Sequence, residues 1–247
     1  MRLQIRNSKN ALVAAAVITF ILAHPVQAGP GGQGNPGVFP PNSTPFGLTY
    51  GQWSTALWQW TFSQPVSQNP LFMNGDVDLS LGQPAGPVWF LGGIISSSPL
   101  GGSASRTGTI PAGKALFFPL IDEEWDNSGV PPTTFTIPQL RALAKATIDS
   151  ADDIACEIDG VPLLKLSNPL TTAYRVVSPV FGYTLPATDN VLQFFGIDIS
   201  GTVGPAVADG IYVMLAPLPV GRHTIHFTAG FSTSPFMQDI TYNLTVK

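Results

Sequence analysis

Four acidic residues within five consecutive positions mark the first place in this chain where chemistry is expected. Asp122, Glu123, Glu124 and Asp126 follow an apolar run at 115–121 that predicts a buried strand. Their oxygens can bind a hard cation such as Ca²⁺, with Asp122, Glu124 and Asp126 as the candidate ligands. Two of them can instead act as general acid and base on a glycosidic bond. A solvated loop at the end of the strand is the simplest interpretation, ahead of a cation or ligand site and of catalysis.

Two tryptophans and two arginines are the candidate ligand-binding residues. Trp125 lies among the acids, in the arrangement by which an aromatic ring stacks on a sugar. Trp58 lies outside the apolar stripe of its predicted helix and is the second aromatic candidate. Arg106 and Arg175 are scarce cations in an acidic protein, and each can pair with a buried carboxylate or with a carboxylate of a ligand.

Other catalytic chemistry has little support in the sequence. His223 and His226 alternate to opposite faces of a predicted strand, so they cannot bind one metal ion together. His223 is expected to pack inward, with a hydrogen bond near the 217–221 turn. Cys156 is the only cysteine, which excludes an intramolecular disulfide, and no Gly-x-Ser-x-Gly elbow of a serine hydrolase occurs. These residue patterns therefore favour a non-catalytic protein over an enzyme.

The N-terminal residues have the pattern of a secretory signal peptide. Basic residues precede a mostly apolar run at 11–23, and the small residues Val26 and Ala28 fit a cleavage site. We expect residues 1–28 to be removed on export to the periplasm or the exterior. No later segment is long and apolar enough to predict a membrane helix.

The charge of the mature chain limits its partners. Without the three basic residues of the leader, eight of the 11 Lys and Arg remain against 15 Asp and Glu, a formal charge of −7. This balance works against nucleic acid and an anionic membrane surface as partners. A polysaccharide or a cell-surface ligand is compatible with it, and Ca²⁺ is the one cofactor that the sequence suggests.

The pattern of elements predicts a mainly β fold. Two short helices are expected near 50–62 and 137–150, and the strands outnumber them. The 24 Pro and 25 Gly favour many turns, including a two-residue hairpin turn at Asp159-Gly160. We expect a Gly/Pro-rich linker at 29–48 and a single β-sandwich domain at 49–247, immunoglobulin-like or jelly-roll-like. The strands are predicted at 88–91, 115–121, 154–158, 161–166, 175–177, 191–199, 210–215, 222–228 and 240–246.

Four sequence blocks resemble a group of exported bacterial proteins that have no assigned activity. The blocks are GPVWFLGG at 86–93, TIPAGKALFFP at 109–119, YRVVSP at 174–179 and DGIYVMLAPLPVGRHTIHF at 209–227. The resemblance implies export and a β-rich fold, and it brings no catalytic residues.

The segment 217–227 is similar to the closing strand pair of immunoglobulin-like modules. Leu218 and Gly221 match the pattern that builds a tyrosine corner, whereas His223 occupies the position of the tyrosine.

These observations favour an exported, non-catalytic module that binds a carbohydrate, Ca²⁺ or both, or that associates with a surface. The first alternative is an extracellular carbohydrate-active hydrolase that uses the clustered carboxylates, which requires two carboxyl groups about 5–10 Å apart across a cleft. The second alternative is a structural protein of the envelope.

Overall fold

The described chain is mainly β, with two sheets and three α-helices. This computed structural model describes residues 37–95, 98, 100–129, 134–166 and 168–247, so the predicted signal peptide lies outside the described residues. The helices are α1 (Tyr50–Ser63), α2 (Ile137–Asp149) and α3 (Val191–Phe194). The strands are β1 (Gly75–Asp76), β2 (Val88–Phe90), β3 (Gly101–Ile110), β4 (Ala115–Trp125), β5 (Ala151–Ile158), β6 (Val161–Pro162), β7 (Arg175–Val177), β8 (Phe181–Leu185), β9 (Gly201–Leu215), β10 (Gly221–Phe231) and β11 (Met237–Val246).

Both predicted helices are present, each within one residue of its expected end. Each begins with a capping pair, in which the backbone N–H of a threonine donates to the glutamine three residues later. The pair is Thr49 and Gln52 in α1 (2.9 Å) and Thr136 and Gln139 in α2 (2.8 Å). No helix in the part of the chain that the structure describes is long and apolar enough to cross a membrane.

The first sheet has the strand order β2-β4-β9-β7, and β8 pairs with the other half of β9. β2 runs parallel to β4, whereas β4, β7 and β8 pair antiparallel to β9. Phe117 of β4 stacks on Tyr212 of β9 with ring centroids 5.4 Å apart. Tyr50 and Trp53 of α1 pack on Phe117, and Trp60 packs on Phe90 of β2, which fixes the helix on one face of the sheet.

The second sheet has the order β1-β3-β11-β10-β5-β6. β11 is central in it, antiparallel to β10 and parallel to β3. Asp159 and Gly160, at φ 52° and 74°, form the predicted tight turn between β5 and β6, because both central residues of a type I′ turn need positive φ.

The largest core cluster takes side chains from both sheets. Phe118 of the first sheet stacks on Phe227 of the second with centroids 5.7 Å apart. Ile148 of α2 is fully buried in the same cluster. Side chains of the two sheets and of α2 therefore belong to one apolar cluster.

Two sequence predictions differ from the observed elements. The strand predicted at 191–199 is wrong, because Asn190 caps a helical turn by accepting a hydrogen bond from the Gln193 N–H (2.9 Å), and α3 forms. The strand predicted at 161–166 is only Val161–Pro162 long. β3 was not predicted, because its Gly, Ser and Thr residues give no apolar signal. β8 was not predicted either.

The described part of the predicted linker, 37–48, is packed against the domain. Val38 forms a β-bridge with Leu215, and the Tyr50 hydroxyl donates to the Phe39 carbonyl (2.6 Å).

Arg106 of β3 is a fully buried cation without a carboxylate partner among the hydrogen bonds described for it. Its guanidinium donates to the carbonyls of Met73 (2.9 Å), Leu71 (3.1 Å) and Gly92 (3.3 Å). It also donates to the hydroxyl of Tyr242 (2.9 Å), the residue directly opposite it in the β3–β11 ladder. The carbonyl dipoles thus supply the solvation that water would otherwise give this charge.

Arg106→Met should lower the free energy of unfolding by roughly 2–5 kcal/mol, because it leaves buried carbonyls without donors. The matched control is Arg222→Met, which removes an exposed arginine and should change stability by about 0.5 kcal/mol or less. Urea unfolding measures both variants. Equal midpoints for the two would contradict a structural role for the buried cation.

Both ring nitrogens of His223 face oxygen acceptors. Nδ1 is 2.7 Å from Asp159 Oδ2, and Nε2 is 2.9 Å from the Pro219 carbonyl, so the predicted hydrogen bond near the 217–221 turn is present. A ring that donates from both nitrogens is protonated, and the bond to Asp159 is the main cause of the raised pKa of His223.

His223 should therefore make stability depend on pH. A raised folded-state pKa contributes stability that is present below the unfolded pKa, near 6.5, and is lost as pH rises through the folded pKa. The difference in unfolding free energy between the wild type and His223→Gln should therefore shrink as pH rises from 6 to 8.5. The control is His226→Gln, which removes the neighbouring histidine from its exposed pair with Asp239. A pH-independent difference for His223→Gln would disprove the charged pair.

Candidate functional site

The acidic stretch is part of a strand rather than a loop, which corrects the simplest sequence interpretation. β4 continues through Asp122, Glu123 and Glu124 to Trp125, and all four residues pair with β9. Successive side chains of a strand point to opposite faces. Asp122 accordingly turns toward the α1 side, where its Oδ2 accepts a hydrogen bond from the Tyr212 hydroxyl (3.2 Å).

The outer edge of β4 is paired for only part of its length. β2 pairs with residues 115–117, and no described strand pairs with that edge beyond them. Three residues beyond this ladder, the Gln238 Nε2 of β11 donates to the Leu120 carbonyl (2.6 Å), and the Gln238 Oε1 accepts from Ile94 N–H (3.4 Å). The edge therefore opens into a cavity next to this amide.

This cavity, which we call the edge pocket, has a volume of about 330 Å³. Its walls are mostly aliphatic and aromatic, and its lining includes Trp58, Thr61, Asp122, Glu123, Phe236 and Gln238. Adjacent residues of a strand point to opposite faces, so one pocket can touch both Asp122 and Glu123 only where it lies over the strand's edge. No described Lys, Arg or His lines it.

The carboxyl groups at the edge pocket are held partly protonated at neutral pH. Burial raises the pKa of Asp122 to about 7, against the opposing hydrogen bond from Tyr212, and burial raises the pKa of Glu123 to about 7. Burial, followed by the charges of Asp126 and Glu123, raises the pKa of Glu124 well above its usual value. In the described ion pairs no base contacts these carboxyls. Asp122 and Glu123 can therefore both donate and accept hydrogen bonds in the pocket.

The remaining acids lie by a neighbouring cavity of about 250 Å³ that Glu123 also borders. Glu124, Trp125 and Asp126 line it, and neither Glu124 Oε1 nor Trp125 Nε1 has a hydrogen-bond partner. Asp126 accepts hydrogen bonds from the Tyr183 hydroxyl and from the backbone N–H of Ser128. Across the described ranges, no group of three or more His, Cys, Asp or Glu side chains is arranged to hold a metal ion.

Trp58 and Trp125 lie at different cavities. Trp58 lines the edge pocket and stacks on Phe62 (5.4 Å), which stacks in turn on Tyr183 (4.0 Å). This stack ends at the hydroxyl that donates to Asp126. The structure thus brings Trp58 together with Asp122, and Trp125 together with Asp126.

Arg106 and Arg175 direct their donors at groups of the protein. Two of the carbonyls that Arg106 binds belong to Leu71 and Gly92, and both of these residues line the edge pocket. Arg175 forms a two-point ion pair with the buried Asp209 (3.0 and 2.7 Å) and a third bond to Asp149 (2.7 Å). Arg106 therefore supports the pocket wall from behind, and Arg175 holds α2 to β9.

Sequence reasoning did not identify Gln238 or the wall at 91–95 as parts of the site. The sequence feature that could have revealed them is the glycine pair Gly92-Gly93, which follows the buried strand β2. A Cβ on Gly93 would lie 2.2 Å from Gln238 Oε1, and one on Gly92 would lie 2.3 Å from a methyl group of Leu71. Glycine pairs of this kind mark places where another group approaches the backbone closely.

The chain matches no known family model, no curated protein and no solved structure.

Replacing both pocket acids by amides should flatten the pH dependence of stability. Their raised pKa values mean stability that is full below about pH 4 and is lost as pH rises toward 7, where the folded carboxyls ionise. Asp122→Asn with Glu123→Gln should remove roughly 1–3 kcal/mol of this loss. The control is Asp76→Asn, at an exposed carboxyl. Urea unfolding from pH 4 to 8 measures the effect, and a wild-type slope in the double variant would rule out burial of these acids.

Proposed function

We propose that the protein is an exported, non-catalytic module that binds a small, uncharged, hydroxylated ligand of the carbohydrate class in the edge pocket. The observation that carries this proposal is that Asp122 and Glu123 line one mostly apolar cavity. Export to the periplasm or the exterior rests on the leader sequence.

The chemistry of the lining favours an uncharged ligand. A hydroxyl group donates and accepts, which complements a partly protonated carboxyl group that does the same. Trp58 supplies an aromatic surface for the apolar face of a sugar ring. The volume lies at the small end of ligand pockets, which commonly span about 300–1,000 Å³, so the ligand has one or two rings.

We further infer that the two sheets form a β-sandwich, immunoglobulin-like or jelly-roll-like. The shared core and the contact of Phe118 with Phe227 support this arrangement.

Catalysis on a glycosidic bond is the second candidate. It is favoured by two carboxyls with a pKa of about 7 in one pocket, since a general acid must keep its proton at working pH. A Ca²⁺ site at Asp122, Glu124 and Asp126 ranks below both. Tyrosine hydroxyls already bind two of these carboxyls, and the third has a raised pKa.

The test is calorimetric titration and thermal melting with glucose, N-acetylglucosamine, cellobiose and CaCl₂, together with an assay for released reducing ends. A bound sugar should raise the melting temperature, because it adds about 2.7 kcal/mol to the free energy of unfolding at a hundred times its Kd. Asp122→Ala and Thr61→Trp, which fills the pocket, should each weaken binding at least about tenfold, whereas Asp76→Asn should leave it unchanged.

The outcomes separate the candidates. Release of reducing ends from cellobiose would move the hydrolase ahead of the binding module. Stabilisation by CaCl₂ alone, lost in Glu124→Gln, would assign the acids to a cation. A protein that responds to no sugar refutes the proposed ligand class.

A further inference from the structure

The second cavity at the acidic stretch continues the edge pocket along β4. Residues of β4 between Pro119 and Glu123 border the edge pocket, and the run from Glu123 to Asp126 borders the cavity of about 250 Å³. Adjacent strand residues point to opposite faces, so a cavity that touches both Glu124 and Trp125 must also lie over the strand's edge. Glu123 borders both cavities, so they meet at this residue. We call the second one the Trp125 cavity.

The two cavities together follow an open edge of the sheet. No described strand pairs with the outer edge of β4 beyond Phe117. Residues 119–125 of an extended strand span roughly 20 Å, at about 3.3 Å per residue. This distance is longer than two sugar rings. A ligand that fills the edge pocket can therefore continue along the strand into the Trp125 cavity only if it is a chain.

The linings of the two cavities repeat one kind of chemistry. Each contains one half-buried tryptophan, Trp58 in the edge pocket and Trp125 in the other, and each contains at least two carboxyl groups. Phe135 adds a second aromatic ring beside Trp125. A ligand that repeats an apolar ring face and a set of hydroxyl groups complements such a repeated lining.

The acids of the Trp125 cavity favour a chain without acidic groups. No described Lys, Arg or His lines either cavity, so an anionic polysaccharide would bring its charges beside these acids with nothing to offset them. The raised pKa of Glu124, caused first by its burial, lets this carboxyl donate as well as accept. Asp126 is held in place by the hydroxyl of Tyr183 and the backbone N–H of Ser128.

We propose that the edge pocket and the Trp125 cavity are consecutive subsites for one linear, neutral oligosaccharide, with Glu123 at their junction. This inference rests on the carbohydrate function proposed for the edge pocket and extends it from one or two rings to a longer chain. Once one end of the chain is bound at Trp58, the contact at Trp125 is intramolecular and adds affinity without a second association step. Glu123 is the side chain placed to bond to units in both cavities.

The experiment is a calorimetric comparison of dimers with tetramers, using cellobiose and cellotetraose, and N,N′-diacetylchitobiose and its tetramer. A tetramer should bind with one molecule per protein and at least about tenfold more tightly than its dimer. Trp125→Ala should reduce the affinity for the tetramer to that for the dimer. The same variant should bind the dimer as the wild type does, which also shows that it is folded. In 5-fluorotryptophan-labelled protein, the tetramer should shift the ¹⁹F signals of both Trp58 and Trp125, assigned with the Trp→Phe variants.

The outcomes separate this inference from the function on which it rests. The matched control is Phe195→Ala, which removes an exposed aromatic side chain outside both linings and should keep the wild-type ratio of tetramer to dimer affinity. Equal affinities for dimer and tetramer, two tetramers per protein, or a tetramer that shifts Trp58 alone would overturn the shared chain and leave the edge pocket as a site for one or two rings. Failure of every dimer and tetramer to bind would refute the proposed ligand class together with this inference.

Discussion

The interior of this protein is organised around one cation, the guanidinium of Arg106. It connects chain segments that are distant in sequence: β3, the turn that carries Leu71 and Met73, the segment after β2, and Tyr242 of β11. An arginine cannot shed its charge in a protein, so these carbonyls must stay in place around it. Because two of them belong to residues that line the edge pocket, the shape of that pocket depends on a side chain that does not enter it.

Local patterns predicted local structure well. The capping pairs of α1 and α2 and the turn at Asp159-Gly160 involve residues close in sequence, so their geometry follows from neighbouring side chains. The strand predicted at 191–199 was wrong because the Asn190 side chain caps a helical turn that begins in the same residues. β3 was not predicted because its place in the sheet comes from pairing with β11 rather than from its own apolar pattern.

The candidate site shows the same difference between what local sequence reveals and what tertiary contacts determine. The acids of β4 and the aromatic candidates were recognisable from residue type alone. Their environment was not, because burial by α1, Tyr212 and Gln238 comes from segments far along the chain. The partners of Arg175 were foreseen only as a class, a buried carboxylate, and Asp209 could be named only from the fold. Sequence thus identifies reactive groups, and tertiary contacts decide their protonation state and their neighbours.

The parallel ladder between β3 and β11 has a consequence for how the chain reaches this fold. The ladder joins Gly101 to Met237, so the edge of β3 that faces β11 is paired only after more than a hundred later residues become available. Closing so long a loop is entropically costly, and folds rich in such contacts form slowly. A strand that waits unpaired is exposed to association with other chains. The Gly, Ser and Thr residues of β3 give it little apolar surface for such association. The same residues that left the strand without an apolar sequence pattern therefore lower its tendency to associate during folding.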